Sequence, residues 1–331
     1  MNNLKKIGLS ALAGSLVALS VNAAELTVSG SVEVTYTDTG GTSGNEVTGN
    51  SFGAQSAMTF KGSGDVGFGT VTMNRAISDL GAITTSYQTL DMGDMGILSF
   101  DSTAAGLVGI TANDDILPTA YEEIWTGVSE AEAGISGVGS TNVIGYTNTF
   151  AGVSLSAGYT NGEGATRTSE SAASGPGAHG STQDIYLSMS PIDGLTIGVG
   201  QSTNTSTSTG TGTADTVESI ANFNYSMGPV SVGYRMAESE DGTAGAASHE
   251  ITAYSIAFNV NENFAISYGE QENTQNAIAA TASVTEDVTG ISAAYTMGAA
   301  SVRFNHSESS NDNFVTSVND ETTEISLALS F

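Results

Sequence analysis

Carboxylates dominate what this chain can do chemically: 35 Asp and Glu stand against seven Lys and Arg, three His and no Cys. Such groups can move protons, hold divalent cations or set up a field in water. Other chemistries are poorly served. His179, His249 and His306 lack zinc-ligand spacing, and His249-Glu250 has no second His to complete a metalloprotease motif. No Ser nucleophile elbow, phosphate-cradling Gly loop ahead of a helix, or thiol is present. An enzyme is therefore not expected. A net charge of −28 offers no basic field for phosphates, which excludes nucleic acid as a partner.

One acidic stretch stands apart. Between residues 102 and 138, roughly 37 residues, Asp114, Asp115, Glu122, Glu123, Glu130 and Glu132 alternate with Ile116, Leu117, Pro118, Tyr121, Ile124 and the only Trp, Trp125. Loops beyond ~15 residues without structure of their own are uncommon unless functional. A loop bathed in water has no use for that apolar set, whereas one packed on an inner wall does. The other reading is a lid over an outer rim, its acids solvated. Calcium could take oxygen ligands from Asp114 and Asp115, or from Asp312 and Asp320 with Glu321, although no ordered calcium-loop motif is present. No other cofactor is expected.

The elements that must carry these residues have a period of two. Residues 1–23 read as a signal peptide, with Lys5 and Lys6 ahead of an apolar run to Val21. Its removal leaves five basic residues against 35 acidic, a net of −30. From 24 to 331 no apolar run of 18 residues occurs, so no transmembrane helix is expected. Instead Leu26, Val28, Val32, Val34 and Tyr36 alternate with small and polar residues. The pattern predicts strands near 26–36, 50–62, 65–77, 81–91, 95–101, 139–150, 152–161, 182–190, 195–203, 216–227, 229–238, 249–260, 264–273, 285–297, 299–307 and 321–331.

Sixteen strands with tight and long connections in alternation predict an all-β, antiparallel transmembrane barrel. The tight ones are Gly62-Ser63-Gly64, Met92-Gly93-Asp94, Ala151, Pro191 to Gly194, Gly228, Asn261 to Asn263 and Gly298. Hydrocarbon gives the backbone no partners, so only helices or closed barrels can cross it. The chain ends in an amphipathic strand, Ile325, Leu327, Leu329 and the terminal Phe331.

The mature start Glu25-Leu26-Thr27-Val28-Ser29-Gly30, the Leu90-Asp91-Met92-Gly93-Asp94 turn, the acidic stretch after it, and the Leu327-Ala328-Leu329-Ser330-Phe331 end resemble those of Gram-negative general-diffusion porins of the alphaproteobacterial type. The resemblance implies a sixteen-stranded homotrimeric barrel in the outer membrane, in contact with its lipid and lipopolysaccharide, passing small hydrophilic solutes and ions. It also implies that the third outer loop, here 102–138, folds inward. Its acids Asp114, Asp115, Glu122 and Glu123 would then face basic wall residues. Parity offers Lys61, Arg235 and Arg303 for that wall, with Arg75 of undecided facing. Net charge predicts weak cation selectivity. Two other functions fit the composition: a substrate-specific channel, which would need an aromatic or basic pore track, and a secreted or surface structural β-protein.

Overall fold

The computed structural model describes residues 25–43, 49–78, 81–114, 116–128, 135–161, 179–206, 214–243, 245–277 and 282–331. The expected signal peptide, 1–23, lies outside them. Sixteen strands follow one another as β1 (Glu25–Gly41), β2 (Phe52–Asp65), β3 (Thr70–Ser78), β4 (Ile83–Asp91), β5 (Ile97–Thr103), β6 (Val143–Phe150), β7 (Val153–Asn161), β8 (His179–Ile192), β9 (Leu195–Ser206), β10 (Thr216–Met227), β11 (Val230–Asp241), β12 (His249–Asn261), β13 (Phe264–Gln275), β14 (Val284–Met297), β15 (Ala300–Ser310) and β16 (Asn319–Ser330).

Each strand pairs antiparallel with its neighbours in sequence, and β1 pairs with β16 from Ser31↔Ser330 to Gly41↔Asp320 to close the barrel. Closure extends to the last residue. The Gly30 N–H donates to the Phe331 carbonyl at 2.8 Å, and the Phe331 N–H returns a bond to Gly30 at 2.9 Å. Each strand of the ring thus has a paired neighbour on both sides, and no edge strand is left.

The alternation is inside-out relative to a water-soluble protein. Leu26 is 63% exposed, Val28 52% and Leu327 47%, all on the outer surface. On the inner face Ser202, Ser292, Asn305 and Ser326 are buried. Among the described residues, the buried apolar clusters form where the long segment after β5 meets the inner wall. Ile110 and Ile135 lie there with Tyr186, Ile220, Ala237 and Ile251, and Leu117 and Ile124 lie with Ala253.

Several boundaries shift by a few residues from those the periodicity gives, and two of the shifts change which residues form a connection. The first tight turn is Val66 to Gly69, not Gly62-Ser63-Gly64, because β2 runs on to Asp65 with Gly62 and Gly64 paired to Met73 and Val71. The Asp65 carboxylate accepts the Gly67 N–H at 2.6 Å, and Gly67 takes φ +86°, which only glycine adopts easily. Small alternating residues imitated a turn that an Asx-turn supplies three residues later. Likewise β6 begins at Val143 rather than 139, so the preceding residues belong to the long connection.

Because the outer surface is apolar and Val199 is 56% exposed on it, Val199→Arg should cost about 2–4 kcal/mol in a bilayer. Inward Thr59→Arg should cost little. Urea titrations of vesicle-inserted protein, followed by fluorescence of the single Trp125, measure both.

Candidate channel constriction

Of the connection from β5 to β6, the described residues 104–114, 116–128 and 135–142 enter the barrel and lie along the inner wall. An irregular backbone placed there must find partners for its amides and carbonyls, and the wall supplies them residue by residue. Asp101 starts it by accepting the N–H groups of Thr103, Ala105 and Gly106 at 3.1, 3.0 and 2.7 Å. Asp184 on β8 accepts from Ile110 at 2.8 Å and Val138 at 3.0 Å, tying the two limbs of the loop together. Glu218 on β10 accepts from Ser136 and Gly137 at 2.8 and 2.7 Å.

Neutral and basic wall residues hold the loop carbonyls. Asn222 donates to Asn113 and Asn224 to Ile116, both at 2.9 Å, and the Ser255 hydroxyl donates to Pro118 at 2.8 Å. Farther along, Ser267 and Ser292 accept from the amides of Ala120 and Tyr121. The Tyr121 hydroxyl donates to Glu324 at 2.8 Å, and Thr322 donates to the Gly127 carbonyl at 2.8 Å. Burial and the bond to Glu324 push the Tyr121 phenol above its ordinary pKa, so it stays a proton donor at every physiological pH.

The loop can lie this close because the wall beneath it has almost no side chains. Register links Gly233, Ser255, Gly269, Gly290, Ser307 and Thr322 into one inward row across β11 to β16. A Cβ at Gly233 would stand 2.5 Å from Pro118, one at Gly269 2.6 Å from the Ile124 side chain, and one at Gly290 2.5 Å from the Ile124 backbone. A second row, Gly145, Gly158, Asp184, Ser202 and Glu218, crosses β6 to β10 and carries the two carboxylates that hook the loop.

The structure corrects the expected opposition of charges. Arg235 does point inward, but it is only 1% exposed, sealed beneath the loop. It donates to the Asp114 carbonyl at 2.8 Å and to Gln271 at 2.7 Å, with its guanidinium 5.0 Å from the Trp125 ring. Arg303 pairs with Glu33 and lies 4.3 Å from the Tyr121 ring. Both arginines therefore sit on the loop's own side instead of across the lumen from it. Parity decides in or out for each side chain, but not which arc of the wall the loop covers.

The other assigned residues scatter. Lys61 faces inward in register with Asn74, six residues along β2 from Gln55, or roughly 20 Å toward the short turns. Arg75 pairs across β2 with Phe60 and shares the outward face of Met73 and Ile77, so it is not a pore residue. Of the loop acids, Asp114 is half-buried and contributes its carbonyl, Glu122 accepts from the Thr126 hydroxyl at 3.4 Å, and Glu123 is half-buried. Asp115, Glu130 and Glu132 lie outside the described residues.

Asp312 accepts from Ser309 and Asn313, Asp320 accepts from the Glu321 amide, and no group of three metal-type side chains forms among the described residues. Sequence reasoning missed Asp101, Asp184, Glu218 and Glu324. Their signal was present: carboxylates on inward positions of strands whose inward faces are otherwise Ser, Thr and Gly. The hydrogen bonds and contacts described leave the inward side chains of β2 to β4, such as Gln55, Thr59 and Tyr87, to bound the remaining lumen.

Comparison with known proteins follows the same outline. Residues 8–331 match the model of a family described as Gram-negative porin. An anion-selective porin from Comamonas acidovorans superposes with TM-score 0.66 at 15% identity, over 93% of this chain and 100% of that one. OmpF of Salmonella typhi, in complex with daunomycin, gives 0.69 at 12% identity over 92% and 97%. The trimer form of OmpT, an outer membrane protein of Vibrio cholerae, gives 0.65 at 13% identity over 93% and 99%. Identities this low convey the fold alone. Comparison with curated proteins found no match.

Two substitutions test how the loop is seated. Gly290→Val, which places methyl groups where the Ile124 backbone lies, should push the loop into the lumen and lower single-channel conductance while strand content is unchanged. Removing Asp184 and Glu218 together (Asp184→Ala with Glu218→Ala) takes away four bonds to charged groups, each worth about 1.5–3 kcal/mol net. Planar-bilayer recordings of that double variant should show increased open-channel noise.

Proposed function

The chain belongs to the Gram-negative porin family, and we propose that it is a general-diffusion channel with weak cation selectivity. It is an outer-membrane β-barrel of sixteen strands, a number that encloses a water-filled channel rather than a packed core. Small hydrophilic solutes and ions would pass by size and field, without a cofactor or covalent intermediate.

The observation that carries the selectivity reading is the placement of the inward bases. Arg235 is sealed under the loop and Arg303 is held by Glu33, which leaves Lys61 as the inward base of the described strands not tied to the loop. The mature chain carries 35 acidic residues against five basic ones. A lumen set in so acidic a body concentrates cations and thins out anions, over a Debye length of about 8 Å at physiological ionic strength. The Comamonas porin named above is anion-selective; at 15% identity its wall charges do not transfer to this chain.

A substrate-specific channel is the weaker reading. The large aromatics Phe150, Tyr159, Tyr254, Tyr268 and Tyr295 are exposed on the outer surface, not stacked along the lumen. A homotrimer is the assembly proposed here, the Vibrio OmpT structure being a trimer form of the same fold.

Reversal potentials across a KCl gradient should show modest cation preference that shrinks as ionic strength rises. Anion preference would sink the selectivity reading. Permeation of sugars of graded size should fall smoothly with size, whereas saturable transport of one sugar would favour the substrate-specific alternative.

A further inference from the structure

On the short-turn side of the loop the inner wall changes character. From the turns up to Asp184 and Glu218, no inward residue of β6 to β10 is charged; the positions hold Ser, Thr, Asn and Gly with a few apolar residues. Glu33, Lys61 and Arg303 stand elsewhere on the ring, on β1, β2 and β15. Ions crossing the lumen are drawn to those fixed charges. The β6 to β10 arc offers hydrogen bonds without a field.

A cavity of about 570 Å³ lies against this arc, bounded by Leu107, Ala112 and Asn113 of the loop. That volume falls within the roughly 300–1,000 Å³ of small-molecule sites. Register sets two adjacent inward rows along its wall, Thr147, Ser156 and Tyr186 in one and Thr149, Ser154 and Ser188 in the next. The hydrogen-bonding capacity of these hydroxyls is only partly used. Ser156 accepts the Gly109 N–H at 2.8 Å and keeps its own O–H to donate, and Thr149 and Ser154 share one bond at 3.0 Å. The hydroxyls of Thr147 and Ser188 have no partner among the described residues. Under the rest of the loop, by contrast, Ser255, Ser267, Ser292 and Thr322 are engaged by its backbone. Ile97, paired with Thr147, and Leu107 add aliphatic surface, and Asp91, whose carboxylate accepts the Gly93 N–H at 2.9 Å, is the one charged residue of the lining.

We propose that this cavity is a resting subsite for a neutral cyclic polyol, a mono- or disaccharide whose ring face lies on Ile97 and Leu107 while its hydroxyls bond those of Thr147, Ser156 and Ser188. A sugar presents C–H groups on its ring faces and O–H groups around its edge, which is the division of apolar and polar groups found here. Each wall hydroxyl can donate or accept, so the subsite reads the presence of hydroxyls rather than their stereochemistry and does not select one sugar. The proposal rests on the channel reading and adds the class of solute the channel holds on its way through.

Single-channel recordings in KCl with glucose in both chambers should show excess current noise that saturates with sugar concentration, and sucrose should behave alike. Thr147→Val combined with Ser188→Ala should raise the half-saturating concentration several-fold, whereas Thr59→Val on β2 should leave it in place; each channel is compared with its own sugar-free current. A protein that conducts no ions would overturn the channel reading and the subsite together. Ordinary ion conductance without saturable sugar noise would overturn the subsite and leave the channel standing. Noise that the double variant leaves unaltered would place the sugar elsewhere and overturn this site. Equal noise from choline chloride would make it a cation site at Asp91 and overturn the polyol assignment.

Discussion

Everything in this molecule follows from the absence of water around its outer surface. Every main-chain N–H and C=O at that depth must be paired within the protein, and a ring of strands whose first and last members meet is one of the two ways to do so. The pairing of β1 with β16, carried to the terminal Phe331 and back to Gly30, is therefore the contact on which the fold depends. With the hydrogen bonds accounted for in the ladder, the outward side chains need only be apolar, and Val28, Val199 and Leu327 meet that demand without packing on one another.

The same accounting repeats indoors on a smaller scale. The described part of the connection after β5, with little regular structure, lies inside the barrel and has its own amides and carbonyls to satisfy. The wall meets them with side chains, carboxylates facing amides at Asp101, Asp184 and Glu218, and amide or hydroxyl donors facing carbonyls at Asn222, Asn224 and Ser255. Glycines beneath the loop let backbone rest on backbone, and the apolar Ile110, Leu117 and Ile124 gain in that narrow layer the burial a porous barrel otherwise denies them. The inner layer is thus the only conventional core described, and it fixes how much of the lumen stays open.

The charges illustrate how far a one-dimensional pattern reaches. Alternation assigned inward facing to Lys61, Arg235 and Arg303, and register agrees in each case. It could not say that Arg235 would be covered by Trp125 and the Asp114 carbonyl, or that Arg303 would find Glu33 on a strand 270 positions earlier. Arg75 had no settled side from its own strand, where Val71, Met73 and Ile77 share its parity; the ladder partner Phe60 decides it. The short-turn residues misled in one place because Gly62 and Gly64, read as a turn, are ordinary strand residues on the outer face.

What the sequence determines by itself is whatever depends on near neighbours: the period of two, the number of strands, the alternation of short and long connections, and the apolar content of the loop after β5. These are local because a strand's two faces are set by its own backbone pleat. Only the closed structure decides azimuth, which arc the loop lies on, which wall residues capture its backbone, and which bases remain in the lumen. Those contacts join residues as distant as Tyr121 and Glu324, and their geometry exists only once sixteen tilted strands have settled the barrel's circumference and stagger.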